Sequence, residues 1–539
     1  MNEEIEEYYE ELYRLYIDEN QPLERRYRQL RESLERVVRE KIQGNSLQTT
    51  DLAARINYVA TQYGLDLKEQ NQLHTFRLTS NDILNHRKSP VKEEFLRDLR
   101  AVAYAYRKMF AQDIPLKLFS VLPKQEIASS GKKEKMEYIR RIRVCFDYAD
   151  DTYLYVHPVD VIADELIRVV YNKPGINHEF EETIKELWRY AQLNLLDVSV
   201  DRDGIYTPSF IVLEPDYLID ISSLAECYKD YGSHPANYFL SRLVPIDNAR
   251  PLLLGNIANL FLDEWIHAGE EEPDYIDCMK KAFRQYPIEL AACAELRDPS
   301  KEKEFAKDCR MHFEHIRDVV QHTFLEPGYN LDKKEAVLEP SYICEALGIQ
   351  GRLDYMQRDM SSFIEMKSGK ADEFSMQGKV EPKENNKVQM LLYMAVLEYS
   401  MGQDRRRMHP YLLYTRYPLL YPARASWAQV RRVINLRNRI VAAEYGVQFH
   451  NHSDFTRNLL AQINPEVMNE RKLRGRFWEQ YLKPSISRFR EKLSALEPLE
   501  QAYFYTLYNF ITKELYTSKS GDVDYEGRAG ASALWLSTL

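Results

Sequence analysis

The chain has 539 residues, of which 44% are hydrophobic and 29% are charged, and its formal net charge is -10. This length and apolar content favour several domains with sizeable cores. No apolar run approaches the roughly 20 residues of a membrane span, and six scattered cysteines without an apolar leader argue against a disulfide-stabilised secreted protein. Composition therefore excludes a membrane protein and predicts a cytoplasmic one with no membrane partner.

The first half of the chain is predicted to contain two regions. In residues 1–119, apolar side chains recur at three- and four-residue spacing between charges of alternating sign, which is typical of exposed helices or of a partner-docking bundle. The basic run at 25–28 is expected to be solvated surface. Residues 120–215 carry strand signals at 139–144 and 152–156, which predict an α/β accessory segment.

The most informative pattern begins at residue 351. Residues 353–356 form a predicted strand, and the polar turn 357–359 lets it pair with the next strand as a hairpin. A period of two places Glu365 and Lys367 on one face of that second strand and the alternating residues in a core. The hairpin then brings Asp354 and Glu365 together.

A helix predicted over residues 387–400 follows this hairpin. Gln389 and Tyr393 lie one turn apart on it, so both can reach the same site. A Glu-x-Lys pair alone usually forms a solvated charge pair on an exposed strand. The preceding Asp354 and the following polar pair favour a functional site. From residue 426 to 539 the chain is predicted to be helical again.

Two carboxylates and an ammonium group define the chemistry of this pattern. Like charges a few ångströms apart resist joint ionisation unless a cation compensates them. All-oxygen ligands suit Mg²⁺ or Mn²⁺, which bind one or two protein carboxylates, waters and substrate phosphate oxygens. Lys367 can orient the attacking water or neutralise charge on the phosphate. The residues therefore predict metal-dependent phosphodiester hydrolysis.

The segments 351–354, 365–367 and 389–393 spell G-x-x-D, E-x-K and Q-x-x-x-Y. This pattern resembles the RecB-like branch of the PD-(D/E)XK nuclease superfamily. The resemblance implies an α/β fold, with a restriction-endonuclease-like core of mixed sheet flanked by helices over residues 216–425. Large helical regions would then stand before and after the core.

The resemblance also implies roles for individual residues. Metal would be bound by the carboxylates of Asp354 and Glu365 and by the backbone carbonyl of Met366, with Lys367 as the catalytic lysine. The family's Gln and Tyr, which orient the site and touch DNA, match Gln389 and Tyr393. Further candidates are Arg352 and an acidic residue on the preceding strand, for which Glu339 is the best match and Glu345 the alternative.

Residues 219–227 and 254–263 extend the resemblance to the nuclease domain of flap-trimming replication helicase-nucleases. In those relatives a G-x-x-x-H helix supplies a metal-binding histidine, but Asn259 occupies that position here. Asparagine is a weaker ligand than imidazole, so Asp263 or His312 is the alternative. Relatives often hold an iron–sulfur cluster through one early and three late cysteines, and no cysteine follows Cys344, so no such cluster is expected.

The expected function is a metal-dependent DNA nuclease that acts on single-stranded or flap DNA in repair, recombination or defence. Relatives in this branch often continue into a helicase motor, and this sequence has no phosphate-binding loop for ATP of its own. The resemblance therefore implies a helicase motor, in cis or trans, as a partner. Basic stretches near aromatic residues, at 405–407, 431–439 and 471–478, are candidate DNA contacts. A non-cleaving DNA-binding scaffold and a motor-recruiting helical protein are the alternatives.

Overall fold

The computed structural model describes residues 3–42, 52–123, 138–159, 165–244, 250–329, 331–374, 379–423, 426–450 and 453–520. These residues form a mixed α/β structure, which confirms the predicted class. The chain divides into two compact units: one contains residues 1–217, 441–456 and 502–539, and the other contains 218–440 and 457–501. Within the described ranges, no helix is both long and apolar enough to cross a bilayer.

The first unit begins with helices, as the apolar spacing predicts. Leu12, Leu30 and Leu34 are completely buried where their helices meet. The fourth helix has a capping box, because the Asp66 side chain accepts from the amide of Glu69 while the Glu69 side chain accepts from the amide of Asp66. The helices are α1 Glu3–Ile17, α2 Leu23–Ile42, α3 Leu52–Gln62, α4 Leu67–Leu84, α5 Lys92–Phe110 and α6 Leu116–Phe119.

A strand ring follows in the same unit. Its elements are β1 Tyr138–Ala149, β2 Tyr153–Pro158, β3 Ile167–Val170, α7 Glu181–Lys185, β4 Gln192–Val200, β5 Tyr206–Thr207 and β6 Phe210–Leu213. Strand β1 pairs with both β2 and β4, while β5 joins β4 to β3, so the sheet closes on itself. The accessory segment was expected to be α/β, but in its described part strands dominate. The long-range β1–β4 pairing protects edges that would otherwise be exposed.

Glu214, directly after β6, predicts a pH effect on stability. Its carboxylate accepts hydrogen bonds from the backbone amide of Gln192 (2.9 Å) and from the Tyr445 hydroxyl (3.2 Å). Burial raises its pKa to about 7, and Asp216 adds to the effect. Because the folded state then holds a proton that the unfolded state releases, stability is greatest at acidic pH and falls as pH rises through 7.

Replacing Glu214 with Gln removes this titration while keeping the side-chain shape. We expect Glu214→Gln to be more stable than the wild type at pH 8, on the order of 2 kcal/mol. The two proteins should converge towards pH 5. Chemical denaturation at both pH values measures the difference, and an identical pH dependence in the two proteins would contradict this account.

The second unit contains the segment with the motifs. Its elements up to the motif helix are β7 Ile219–Asp220, α8 Ile221–Ala225, α9 Ala236–Leu243, α10 Arg250–His267, α11 Tyr275–Gln285, α12 Pro287–Ala292, α13 Pro299–Gln321, β8 Ala336–Leu338, β9 Ser341–Cys344, β10 Ile349–Arg352, β11 Tyr355–Gln357, β12 Ser362–Lys367, β13 Asp372–Phe374, β14 Lys379–Glu381 and α14 Glu384–Met401. Two further strands follow, β15 His409–Tyr414 and β16 Leu419–Pro422.

The sheets of this unit are mixed. One has the order β16-β15-β12-β11-β8, in which β12 and β15 are parallel and the other pairs are antiparallel. A second has the order β7-β10-β9, with β7 and β10 parallel. Ile364 and Met366 of β12 pack into one core with α10 and α13, as the period of two predicts. Glu365 and Lys367 are therefore directed to the opposite face, towards α14.

The C-terminal helices are α15 Trp427–Phe449, α16 Ser453–Ala461, α17 Pro465–Met468, α18 Lys483–Ser494 and α19 Pro498–Ser520. The described part of the predicted helical region is thus mostly helical, with a non-helical stretch at 469–475. It is divided between the two units, however, because residues 441–456 and 502–539 belong to the first unit and 457–501 to the second. The compact units consequently differ from the four predicted regions, although the division at 217/218 lies close to the predicted start of the core at 216.

Candidate active site

Asp354 lies at a break between two strands. The prediction placed it inside a strand over residues 353–356, but β10 ends at Arg352 and β11 begins at Tyr355. Opposite it, Glu339 also interrupts its strand, with a left-handed backbone (φ 49°) and an amide that donates to the Asp354 carbonyl at 3.1 Å. Such irregularities redirect side chains next to active sites. The break takes Asp354 out of the regular ladder.

The predicted hairpin is present and brings the two motif carboxylates together. Strands β11 and β12 pair antiparallel, with Tyr355 opposite Ile364. The Asp354 carboxylate accepts a hydrogen bond from the Met366 amide at 2.6 Å, next to Glu365. Burial and then the Asp354 charge raise the pKa of Glu365 to about 8, and burial also raises the pKa of Asp354. The charge of Asp354 therefore resists ionisation of Glu365.

Lys367 and Gln389 complete a closed hydrogen-bonded triangle with Glu365. The Lys367 ammonium donates to Glu365 Oε1 at 2.9 Å and to Gln389 Oε1 at 2.8 Å, and Gln389 Nε2 donates to Glu365 Oε1 at 2.6 Å. Burial acts to lower the pKa of Lys367, but the carboxylates of Glu365 and Asp354 raise it overall, so the lysine stays charged. The other oxygen of Glu365, Oε2, is buried, and no described residue donates a hydrogen bond to it.

Tyr393 holds the strand that precedes Asp354. Its hydroxyl donates to the Arg352 carbonyl at 2.6 Å, and burial raises its pKa, so it remains a donor. Gly351 makes this approach possible, because a Cβ there would lie 3.0 Å from the Tyr393 ring and 3.0 Å from the Ile221 side chain. The glycine of the G-x-x-D motif thus gives Tyr393 room for this close packing.

Gly351→Ala should therefore displace Tyr393 and distort the break at Asp354. We expect a loss of any metal-dependent activity of roughly 10-fold or more, because misplacement by about 1 Å is costly at a reacting centre. The matched control is Gly369→Ala, since a Cβ at Gly369 has no heavy atom within 4 Å. Activity assays on the two variants check the prediction, and equal activities would show that the close packing at Gly351 is unimportant.

Two more carboxylates extend the pair into an acidic cluster of Asp263, Glu339, Asp354 and Glu365. Burial raises the pKa of Asp263 to about 6, with further contributions from Glu339 and Asp354. Arg352 donates to Glu339 at 3.1 Å. The structure therefore gathers Asp263, Glu339 and Arg352 at the motif carboxylates. Glu345 lies just after the end of β9. The acidic residue opposite Asp354 is Glu339, not Glu345.

Glu226 and Asn385 belong to the site's surroundings but were not identified from the sequence. The Glu226 carboxylate accepts from Asn385 at 3.0 Å and from Lys229 at 2.8 Å, and its charge contributes to the raised pKa of Lys367. Burial acts to raise the pKa of Glu226, but these cations and hydrogen bonds lower it. Helical spacing could have identified Asn385, because it lies one turn before Gln389 on the same helix.

Asn259 and His312, the other candidates for a metal ligand, lie in different surroundings. On α10, Gly255 lies beside Ser368, and Asn259 and Asp263 follow at successive turns on the same helix face. This face runs along the cluster. His312 is completely buried on α13, and burial lowers its pKa to about 4. The ionisable neighbours that act on it are Asp308, Arg416 and His315, which are not members of the cluster.

The different surroundings of Asn259 and His312 allow a test of which helix faces the metal. Asn259→His should tighten Mn²⁺ binding, because it adds an imidazole to the helix face beside the cluster. His312→Ala should leave Mn²⁺ affinity unchanged once its folding has been checked. Isothermal titration calorimetry measures both. If His312→Ala abolishes binding and Asn259→His has no effect, α13 supplies the ligand instead.

The donors of the cluster fit a hard divalent cation. In the described ranges, no group of three or more His, Cys, Asp or Glu side chains is placed so that it could hold a metal ion by itself. Magnesium sites, however, commonly use only one or two carboxylates and take their other ligands from water and substrate. The unpartnered Glu365 Oε2 and the excess of carboxylates over the cations Lys367 and Arg352 are the features that such an ion would satisfy.

Comparison with known proteins gives no further information on this site. No protein-family model matches the chain, and a search of curated proteins also returned no match.

Proposed function

We propose that the chain is a metal-dependent DNA nuclease of the PD-(D/E)XK type, in its RecB-like branch, with a restriction-endonuclease-like core within residues 216–425. The observation that carries the proposal is the convergence of Asp354, Glu365 and Lys367 at one break in the sheet. An exposed Glu-x-Lys pair would show none of this burial. The side chain of Glu365 is only 5% exposed and that of Lys367 is 27% exposed.

In this proposal Asp354, Glu365 and the Met366 carbonyl hold Mg²⁺ or Mn²⁺. Such an ion supplies a nucleophilic water near neutral pH and neutralises charge that develops on the phosphate. Lys367 stays protonated beside the carboxylates and directs its positive charge at the reacting phosphate. The ammonium is preorganised, because it is already fixed by Glu365 and Gln389.

Gln389 and Tyr393 are positioning residues in this scheme. The Gln389 amide binds both Glu365 and Lys367, so rotation of either side chain breaks a hydrogen bond. This arrangement leaves Glu365 Oε2 available for the ion. Tyr393 fixes the backbone at Arg352, two residues before Asp354. Together the two α14 residues hold both strands of the site in register.

We propose single-stranded or flap DNA as the substrate, in repair, recombination or defence, within the cytoplasm and in cooperation with a helicase motor supplied in cis or trans. The intact Asp354, Glu365 and Lys367 favour cleavage over the alternative of a non-cleaving DNA-binding scaffold. A scaffold has no need for the partly buried Asp354 beside the buried Glu365, because the charge of one destabilises ionisation of the other unless a cation binds.

The test is a cleavage assay on end-labelled single-stranded, flap and duplex DNA of matched sequence, with a single-stranded RNA for comparison. We expect cleavage with Mg²⁺ or Mn²⁺, none with EDTA, and preference for substrates with an unpaired strand. Metal-dependent cleavage that is unchanged in Glu365→Gln would reveal a contaminating nuclease. DNA binding without cleavage under every metal condition would instead support the scaffold.

A further inference from the structure

A cationic segment with two exposed rings lies outside the cluster but in the same compact unit. Residues 471–483, here called the basic-aromatic segment, contain five Lys or Arg side chains and one Glu. Lys472, Arg474 and Arg476 are all exposed. Among the described residues, none of these three forms an ion pair with a carboxylate, and Arg476 donates only to the neutral Gln480. In a chain of net charge -10, this segment is a local site of positive potential.

Aromatic side chains lie next to these cations. Phe477 is 57% exposed and Tyr481 is 64% exposed, and their ring centroids are 5.9 Å apart. Trp478, between them in sequence, is buried against Tyr231. The buried ring anchors the segment, whereas the exposed pair has flat apolar faces open to solvent. Unpaired bases stack on such rings, and the neighbouring cations attract phosphates.

The segment is attached to the helix that carries Gln389. The Arg471 guanidinium donates to Glu384, in the first turn of α14. The Arg471 amide donates to the Tyr231 carbonyl at 3.0 Å, and the preceding Glu470 accepts from the Ser233 amide at 2.7 Å. These contacts fix the start of the basic-aromatic segment relative to α14.

The attachment point lies close to the cluster. Glu384 precedes Gln389 by five residues, which is roughly 7 Å along a helix axis. Asn385, the next residue, binds Glu226, whose charge acts on Lys367. A strand bound along the segment would therefore approach Lys367 from the N-terminal end of α14.

We propose that the basic-aromatic segment binds single-stranded DNA and leads it to the acidic cluster. This inference rests on the proposed nuclease function and adds the surface that selects an unpaired strand. Selectivity arises because stacking on Phe477 and Tyr481 requires exposed base faces, which a duplex does not offer. The cations alone would bind both forms of DNA.

Fluorescence anisotropy in EDTA, where no cleavage occurs, tests the surface with a labelled oligothymidylate and a duplex of equal length. Phe477→Ala/Tyr481→Ala should weaken single-strand binding about 10-fold or more, since each stacked base contributes about 1–3 kcal/mol. Duplex binding should hardly change. Lys472→Glu/Arg474→Glu/Arg476→Glu should weaken both and reduce the salt dependence by about two ions, as expected for up to three lost phosphate contacts.

Matched controls come from exposed residues elsewhere. Tyr503→Ala removes a ring that is 69% exposed, and Arg25→Glu/Arg28→Glu reverses two exposed charges on α2. Both control variants should bind DNA like the wild type.

The outcomes separate the two proposals. If the wild type binds single strands and the variants of the basic-aromatic segment bind equally well, the proposed binding surface is wrong while the nuclease proposal stands. If Phe477→Ala/Tyr481→Ala loses single-strand and duplex binding equally, the proposal that stacking selects the unpaired strand is wrong. If the wild type binds neither DNA at low salt, the nuclease proposal fails as well.

Discussion

Asp354→Asn and Glu365→Gln are each expected to abolish metal-dependent DNA cleavage, with a fall in rate of about 10³ or more, because each removes a charged ligand from a site that has few others. DNA affinity should stay nearly constant, since neither carboxylate attracts phosphate. The amides keep the side-chain shapes and remove the repulsion that the Asp354 charge exerts on the buried Glu365. Asp354→Asn should therefore fold about as stably as the metal-free wild type, whereas Glu365→Gln also weakens the ion pair with Lys367. Thermal melts of both variants check that lost cleavage reports on chemistry.

The control for these changes is Asp359→Asn in the turn of the same hairpin. Asp359 is exposed, and its carboxylate accepts only from the Ser361 amide in the described structure. Cleavage should survive this change. Initial rates on a labelled single strand, together with anisotropy in EDTA, compare the three variants. Full activity in Asp354→Asn or Glu365→Gln would rule out the acidic cluster as the active site.

Lys367→Met should produce the second largest effect, a reduction in turnover of roughly 10²–10³, which is typical of losing one preorganised electrostatic stabiliser. Met retains much of the aliphatic volume, and Gln389 can still donate to Glu365. Metal and DNA should therefore bind nearly as in the wild type. Single-turnover cleavage kinetics separate this loss in rate from a loss in affinity.

Lys370→Met is the matched control, because Lys370 is exposed three residues further on. We expect its turnover to equal that of the wild type. If Lys367→Met keeps its turnover and only its metal affinity falls, then the lysine has a structural role and does not stabilise charge in the reaction.

The local geometry of the site was predictable because it depends on short-range periodicity. The two-residue repeat directed Ile364 and Met366 into the core and Glu365 away from it, as found. The helix was predicted over 387–400 and spans Glu384–Met401. Residues 388–397 of this helix are buried on all sides. A helix enclosed by neighbours has no polar face to reveal its orientation.

The break at Asp354 was not predictable from the motif. It depends on the left-handed backbone of Glu339 and on a hydrogen bond between residues on neighbouring strands. Likewise, the approach of Asp263 and the contact between Glu226 and Asn385 join segments more than 90 residues apart. Sequence spacing within one element carries no information on such contacts. The position of Asp263 was reached only as an alternative to Asn259.

The strand ring in the first unit was missed for the same physical reason. Strands β1 and β2 are adjacent in sequence and carry clear alternation, so they were recognised. Closure depends on β1 pairing with β4, for example Tyr138 with Ser199, across the intervening residues. The division of the C-terminal helices between two units is also long-range, since helical periodicity predicts an apolar face but not its partner.

The assignment of the metal site is tested most directly by an anomalous-difference map from a crystal soaked in Mn²⁺. We expect a peak bound by the carboxylates of Asp354 and Glu365 and by the Met366 carbonyl, with Lys367 adjacent but not coordinating. The peak should be absent from a Glu365→Gln crystal soaked in the same way. A peak beside His312, or one between Asp354 and position 365 that persists in Glu365→Gln, would contradict the assignment of the acidic cluster as a metal-dependent nuclease site.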